Sequence, residues 1–82
     1  MARTDAEIIE LFKTAVFEVD NKKLGDVTQQ TTLSSLGLDS VQTMEVIGAM
    51  EEKLNVQFPD EDLATLKSIG DLTNLIHRLS RA

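Results

Sequence analysis

Three short patterns, each able to begin a helix, divide this chain. Thr4-x-x-Glu7, Asp39-x-x-Gln42 and Ser68-x-x-Asp71 each pair an N-cap side chain with a reciprocating polar group three residues on. Apolar residues at helical spacing follow every one of them. Ile8, Leu11, Phe12, Ala15, Val16 and Val19 form the first stripe. Thr43, Val46, Ile47, Met50 and Leu54 form the second, and Ile69, Leu72, Leu75, Ile76 and Leu79 the third. Turn-forming residues 20–26 end the first helix. Asn55 to Pro59 end the second, because the residue before a proline avoids the α region. Residues 59–66 fit a short further helix with proline and acids in its first turn. The expected fold is all-α: an antiparallel four-helix bundle of three longer helices and a short third one, with a long loop between helices one and two. Helix one should begin at Thr4, helix two should run from Ser40 to Leu54, and the last should open at Ser68 and end near Arg81. Val27, Leu33, Leu36 and Leu38 are the expected anchors of the long loop. Thr31, Thr32, Ser34 and Ser35 there read as local turn caps.

A chain of 82 residues makes one domain, residues 1–82. At that size only about 60% of the unfolded surface is buried, which leaves one modest core and no deep cleft. The absence of cysteine excludes a disulfide framework, a thiolate zinc site and a thiol nucleophile. A net charge of −6 opposes binding to nucleic-acid phosphates, and the three aromatic residues, all Phe, make no base-stacking platform. No apolar run reaches the length of a membrane span, and no charged-then-apolar leader precedes Thr4. A cytoplasmic monomer is expected.

The charge is concentrated. Residues 1–38 hold six acids against four bases, and residues 63–82 one acid against three bases. Residues 39–62 hold seven acids against Lys53 alone, which is −6 and equal to the whole net charge. On helix two, Val41, Met44 and Gly48 fall on a side away from the apolar stripe, flanked by Glu45 and Glu52. Val41 and Met44 could simply widen the core, or they could form an apolar landing spot rimmed by acids. Gly48 suggests either a close approach or a neutral accident, since a mid-helix glycine costs about 1 kcal/mol relative to alanine.

Leu36-Gly37-Leu38-Asp39-Ser40-Val41 puts a glycine turn and an N-capping aspartate directly before a serine in the first turn of helix two. Backbone N–H groups lack partners there and the helix dipole favours an anion, so a phosphate esterified to Ser40 would lie in a favourable field. This stretch, with the acidic helix after it, resembles the attachment site of the acyl carrier protein family. The resemblance covers nearly the whole chain. It implies that Ser40 accepts 4′-phosphopantetheine from coenzyme A and that Asp39 caps the helix beneath it. The arm's thiol would then shuttle acyl groups as thioesters, as in a discrete carrier for fatty-acid or polyketide-type synthesis. It further implies a recognition face of Val41, Met44, Glu45, Glu51 and Glu52. The partners would be a phosphopantetheinyl transferase and acyltransferase, ketosynthase or acyl-ligase enzymes with basic docking patches. Gly48, Gln42 and Val41 depart from the fatty-acid type, which commonly has a larger apolar residue, an acid and leucine at these places. An aminoacyl or peptidyl carrier shares the Asp-Ser logic, and an acidic helical interaction module is the reading without an arm.

Catalysis by the chain itself is not expected. Asp39 adjoins Ser40 in sequence, and His77 lies off the stripe of the last helix, which suits a surface histidine better than a triad. Asp60-Glu61-Asp62 lacks the spacing and central glycine of a calcium loop, and no metal site is expected.

Overall fold

A computed structural model of the chain describes residues 4–79. Among them lie four α-helices, α1 (Asp5–Asp20), α2 (Ser40–Leu54), α3 (Asp60–Leu63) and α4 (Ile69–Leu79), with a 3-10 turn at Ser34–Leu36. The expected end of the last helix near Arg81 falls outside the described residues.

All three capping pairs form. The Thr4 hydroxyl accepts from the Glu7 N–H at 3.1 Å while the Glu7 carboxylate accepts from the Thr4 N–H at 2.8 Å. Asp71 accepts from the backbone of Lys67 and Ser68 at 3.0 and 3.1 Å, and its own N–H donates to the Ser68 hydroxyl at 3.2 Å. α1 ends at Asn21 and α2 at Asn55, both left-handed, at φ 52° and 56°. Asparagine is among the few non-glycine residues that tolerate this conformation. Glu51 secures the second stop, because its carboxylate accepts from the Phe58 N–H at 2.7 Å and Phe58 is buried.

α3 is shorter than its sequence suggests. Pro59 stands at the N-cap instead of inside the first turn, and residues 64–65 continue as a turn. The Thr65 hydroxyl donates to the Asp62 carbonyl at 2.9 Å, and the Thr65 N–H donates to that same carbonyl at 3.2 Å. Such local bonding tightens a helix end and competes with propagation.

The core draws Ile8, Phe12 and Val16 from α1, Val46, Ile47 and Met50 from α2, and Ile69, Leu72, Leu75 and Ile76 from α4. α1 packs chiefly against α2. Thr43 and Leu54, expected in the core, are only half-buried. Thr73 is fully buried although it lies outside the apolar stripe, and its hydroxyl donates to the Gly70 carbonyl at 3.0 Å. Gly48 makes no close approach, since a Cβ there would meet nothing within 4 Å. Nothing in the structure explains this glycine.

The long loop is pinned by more than its apolar anchors. Leu33 and Leu38 are buried, with Val27 and Leu36 packed partly against the core. Beyond them, the loop backbone pairs with the start of α4. The Ile69 N–H donates to the Thr31 carbonyl at 2.8 Å, the Gly70 N–H to Gln29 at 2.9 Å, and the Leu33 N–H to Lys67 at 2.9 Å. These bonds partner two of the N–H groups that a helix start leaves free. Gly70 allows the approach, for a Cβ would stand 3.1 Å from the Gln29 carbonyl oxygen. His77, expected as an ordinary surface residue, is half-buried, and its Nε2 lies 2.6 Å from the Asp5 carboxylate. That pair joins the last turn of α4 to the first turn of α1, where an acid suits the helix N-terminus.

Candidate functional site

The site forms where the long loop turns into α2. Leu33 and Leu38 sink into the core on either side of the 3-10 turn, so the segment between them must reverse within a few residues. Gly37 makes the reversal at φ 77°, and its N–H donates to the Ser34 carbonyl at 3.2 Å. A left-handed conformation there favours glycine. The Lys22 ammonium would lie 2.8 Å from a Cβ at this position, a contact that the flexible lysine could relieve, so the left-handed φ is what selects glycine.

Asp39 then caps α2 from an extended backbone, with its carboxylate accepting from the Gln42 N–H at 2.7 Å. The Gln42 side-chain carbonyl accepts in return from the Asp39 N–H at 3.1 Å. Ser40 is the first residue of the helix and is exposed. Its hydroxyl is engaged by no protein group among the described residues, and neither His77 nor Asp39 hydrogen-bonds to it. His77 is turned to Asp5, and the Asp39 carboxylate serves the cap. The serine therefore stands at the electropositive end of a 15-residue helix with no base beside it.

Beside Ser40 runs an open groove of about 550 Å³, lined by Leu33, Leu38, Thr43, Met44, Leu63 and Leu66. It is mainly apolar, and Ser40 is among the residues that line it.

The face of α2 away from the core carries the other residues singled out by sequence. Val41 is 68% and Met44 53% exposed, which decides between the two readings of these side chains: they do not widen the core. Glu45 and Glu52 are exposed beside them and form no ion pair among the described residues. Lys53, the lone base of the acidic segment, is committed to Glu18 of α1 at 2.9 Å. The strip thus keeps its negative charge. Glu51 is placed differently, half-buried and holding the Phe58 N–H. Asp62 pairs with Arg78 at 2.9 Å, and among the described residues no cluster of acids or histidine is arranged to hold a metal ion.

Two contacts at the site carry no sequence signal. The Gln42 side-chain amide donates to Asp20 at 2.9 Å, and the Lys22 ammonium donates to the Leu36 carbonyl at 2.8 Å. The first reaches back to the last residue of α1 across the whole long loop, and the second joins the start of that loop to its 3-10 turn. No periodicity or motif marks pairs so far apart in the chain.

Known proteins place this arrangement. The model of the family described as "Phosphopantetheine attachment site" matches residues 10–76. The chain is 36% identical over 80 residues to an acyl carrier protein of Rhodococcus erythropolis, covering 96% of this chain and 88% of that one. It is 35% identical to a meromycolate extension acyl carrier protein of Mycolicibacterium smegmatis, covering 96% and 81%. In three dimensions it superposes on an acyl carrier protein from Thermotoga maritima with a TM-score of 0.87 over 94% of this chain and 91% of that one. At 21% identity, that last likeness speaks for the fold alone.

Proposed function

Because the chain belongs to the acyl carrier protein family, matched through its phosphopantetheine attachment region over most of its length, we propose that Ser40 is the residue that bears the arm. The observation that carries this is the exposed hydroxyl at the first position of α2, behind a glycine turn and a capping aspartate. Ser34 and Ser35 lie in the 3-10 turn, and Ser68 serves its own cap. The prosthetic group of the family is 4′-phosphopantetheine from coenzyme A, and when attached it supplies a thiol that carries acyl groups as thioesters.

The chain's own residues fit that group. The first turn of α2 offers N–H groups and dipole field to a phosphate, and the adjoining groove offers apolar walls to what hangs from it. Attachment joins Ser40 Oγ to the pantetheine-side phosphorus of coenzyme A and breaks that phosphorus's bond to the bridging oxygen. The nucleotide half leaves, and the serine proton passes to a base of the transferase. The chain thereby acts as substrate and shuttle, with no catalytic step of its own.

Partner enzymes, the transferase first among them and then acyltransferase, ketosynthase or acyl-ligase types, would dock on Val41, Met44, Glu45 and Glu52, with Glu51 at the edge. Support comes from the unpaired acids around two exposed apolar side chains. The relatives' names favour a discrete carrier in fatty-acid or related long-chain synthesis. Among the described residues no helix is long and apolar enough to cross a membrane. Peptide mapping after incubation with coenzyme A and a phosphopantetheinyl transferase tests the site. The arm is expected on the peptide containing Ser40, and an arm on Ser34, Ser35 or Ser68 would overturn the assignment.

A further inference from the structure

The last residue of α1, Asp20, and Lys22 just beyond it reach the Ser40 turn at two points that straddle it. Upstream, the half-buried Lys22 gives its ammonium to the Leu36 carbonyl at 2.8 Å and lies against Gly37. Downstream, Asp20 accepts from the Gln42 side-chain amide at 2.9 Å. Gln42 is simultaneously the reciprocal member of the Asp39 cap, so one side chain joins α1 to the residue next to the serine.

The bond pattern dictates the residue type. The Gln42 amide must accept from the Asp39 N–H with its oxygen and donate to the Asp20 carboxylate with its nitrogen. Reversing it would set N–H against N–H and carbonyl against carboxylate. A carboxylate at position 42 could keep the cap but would face Asp20 as a like charge. Asn21, left-handed at φ 52°, ends α1 between Asp20 and Lys22. The base of the tether is itself braced, since Glu18 holds Lys53 of α2 at 2.9 Å.

We propose that Asp20, Gln42 and Lys22 are positioning residues for the modification of Ser40. They hold the glycine turn and the first turn of α2 in the one arrangement in which a modifying enzyme meets the hydroxyl preformed. This rests on Ser40 as the attachment point. None of the three touches the hydroxyl. They act by keeping the turn ordered before encounter, so their loss reduces the fraction of competent molecules and raises the apparent KM, while kcat stays near its wild-type value.

Steady-state kinetics of arm transfer from coenzyme A, with the carrier as varied substrate, test this. Gln42→Glu and Lys22→Met should each raise KM about three- to tenfold, the range one net hydrogen bond spans. The double variant Asp20→Asn with Gln42→Glu should return KM to near wild type. In it the amide introduced at position 20 donates to one oxygen of the carboxylate introduced at position 42. The other oxygen of that carboxylate still accepts from the Asp39 N–H. Melting curves confirm that each variant is folded at the assay temperature. Should Gln42→Glu not fold, Asp20→Ala and Lys22→Met make the same comparison. Unchanged KM in the single variants, or a double variant no better than Gln42→Glu, overturns the tether while leaving Ser40 in place. A wild type that takes no arm on Ser40 overturns the attachment reading and this inference with it.

Discussion

Asp39 and Asp71 both cap a helix with a carboxylate, but only Asp71 receives a second backbone donor, from Lys67, in addition to that of Ser68. The Lys67 and Ser68 N–H groups hold its carboxyl below the ordinary aspartate value of 3.8, chiefly by bonding its charged form. A folded-state value lower than the unfolded one means that the charge contributes fully above the unfolded value. The contribution then disappears as pH falls through the folded value. Asp71→Asn should therefore melt below wild type at neutral pH, and the gap should close as pH drops below about 4. Melting temperature against pH for both proteins checks this. A gap that stays constant to the lowest pH would show that the carboxylate's charge is not what matters. Residue-scale chemistry of this kind is largely legible in sequence, because a cap and its reciprocal partner are three residues apart. The Glu51–Phe58, Lys22–Leu36 and Gln42–Asp20 contacts are not, since their partners are brought together only by folding.

α2 divides cleanly into two faces. Val46, Ile47 and Met50 are buried against α1, while Val41 and Met44 stand in solvent. Truncating a buried isoleucine to alanine costs about 2–5 kcal/mol, whereas a half-exposed methionine on a groove wall costs about 1 kcal/mol or less. Ile47→Ala should accordingly lower the denaturant midpoint far more than Met44→Ala. Equal losses would contradict the division of the helix. Periodicity shows this division in the bare sequence because a helix repeats its environment every few residues. It fails where a rule has no periodic expression. α3 stops early because Thr65 bonds back to the Asp62 carbonyl, Thr73 is buried because its hydroxyl is satisfied within its own helix, and the loop is ordered by backbone pairing with the start of α4. Backbone partners leave no trace in side-chain pattern.

At the scale of the whole molecule, the negative strip and the Ser40 turn share one helix. Basic partners steered toward Glu45 and Glu52 would therefore arrive beside Ser40. Rim charges act mainly on encounter, and salt screens them. Reversing both Glu45 and Glu52 to lysine should slow transferase modification about tenfold or more at low salt, with helicity unchanged and the difference shrinking as salt rises. A wild-type rate in the double variant would make the strip ordinary solvated surface. The central claim, that Ser40 is the single point of attachment, is tested most directly by intact mass after incubation with coenzyme A and a phosphopantetheinyl transferase. Wild-type protein should gain one arm. Ser40→Ala, which touches no core contact, should keep its melting temperature and gain nothing, because the oxygen that receives the phosphorus is gone. An unmodified wild type, or a Ser40→Ala protein that still gains an arm, would contradict the account.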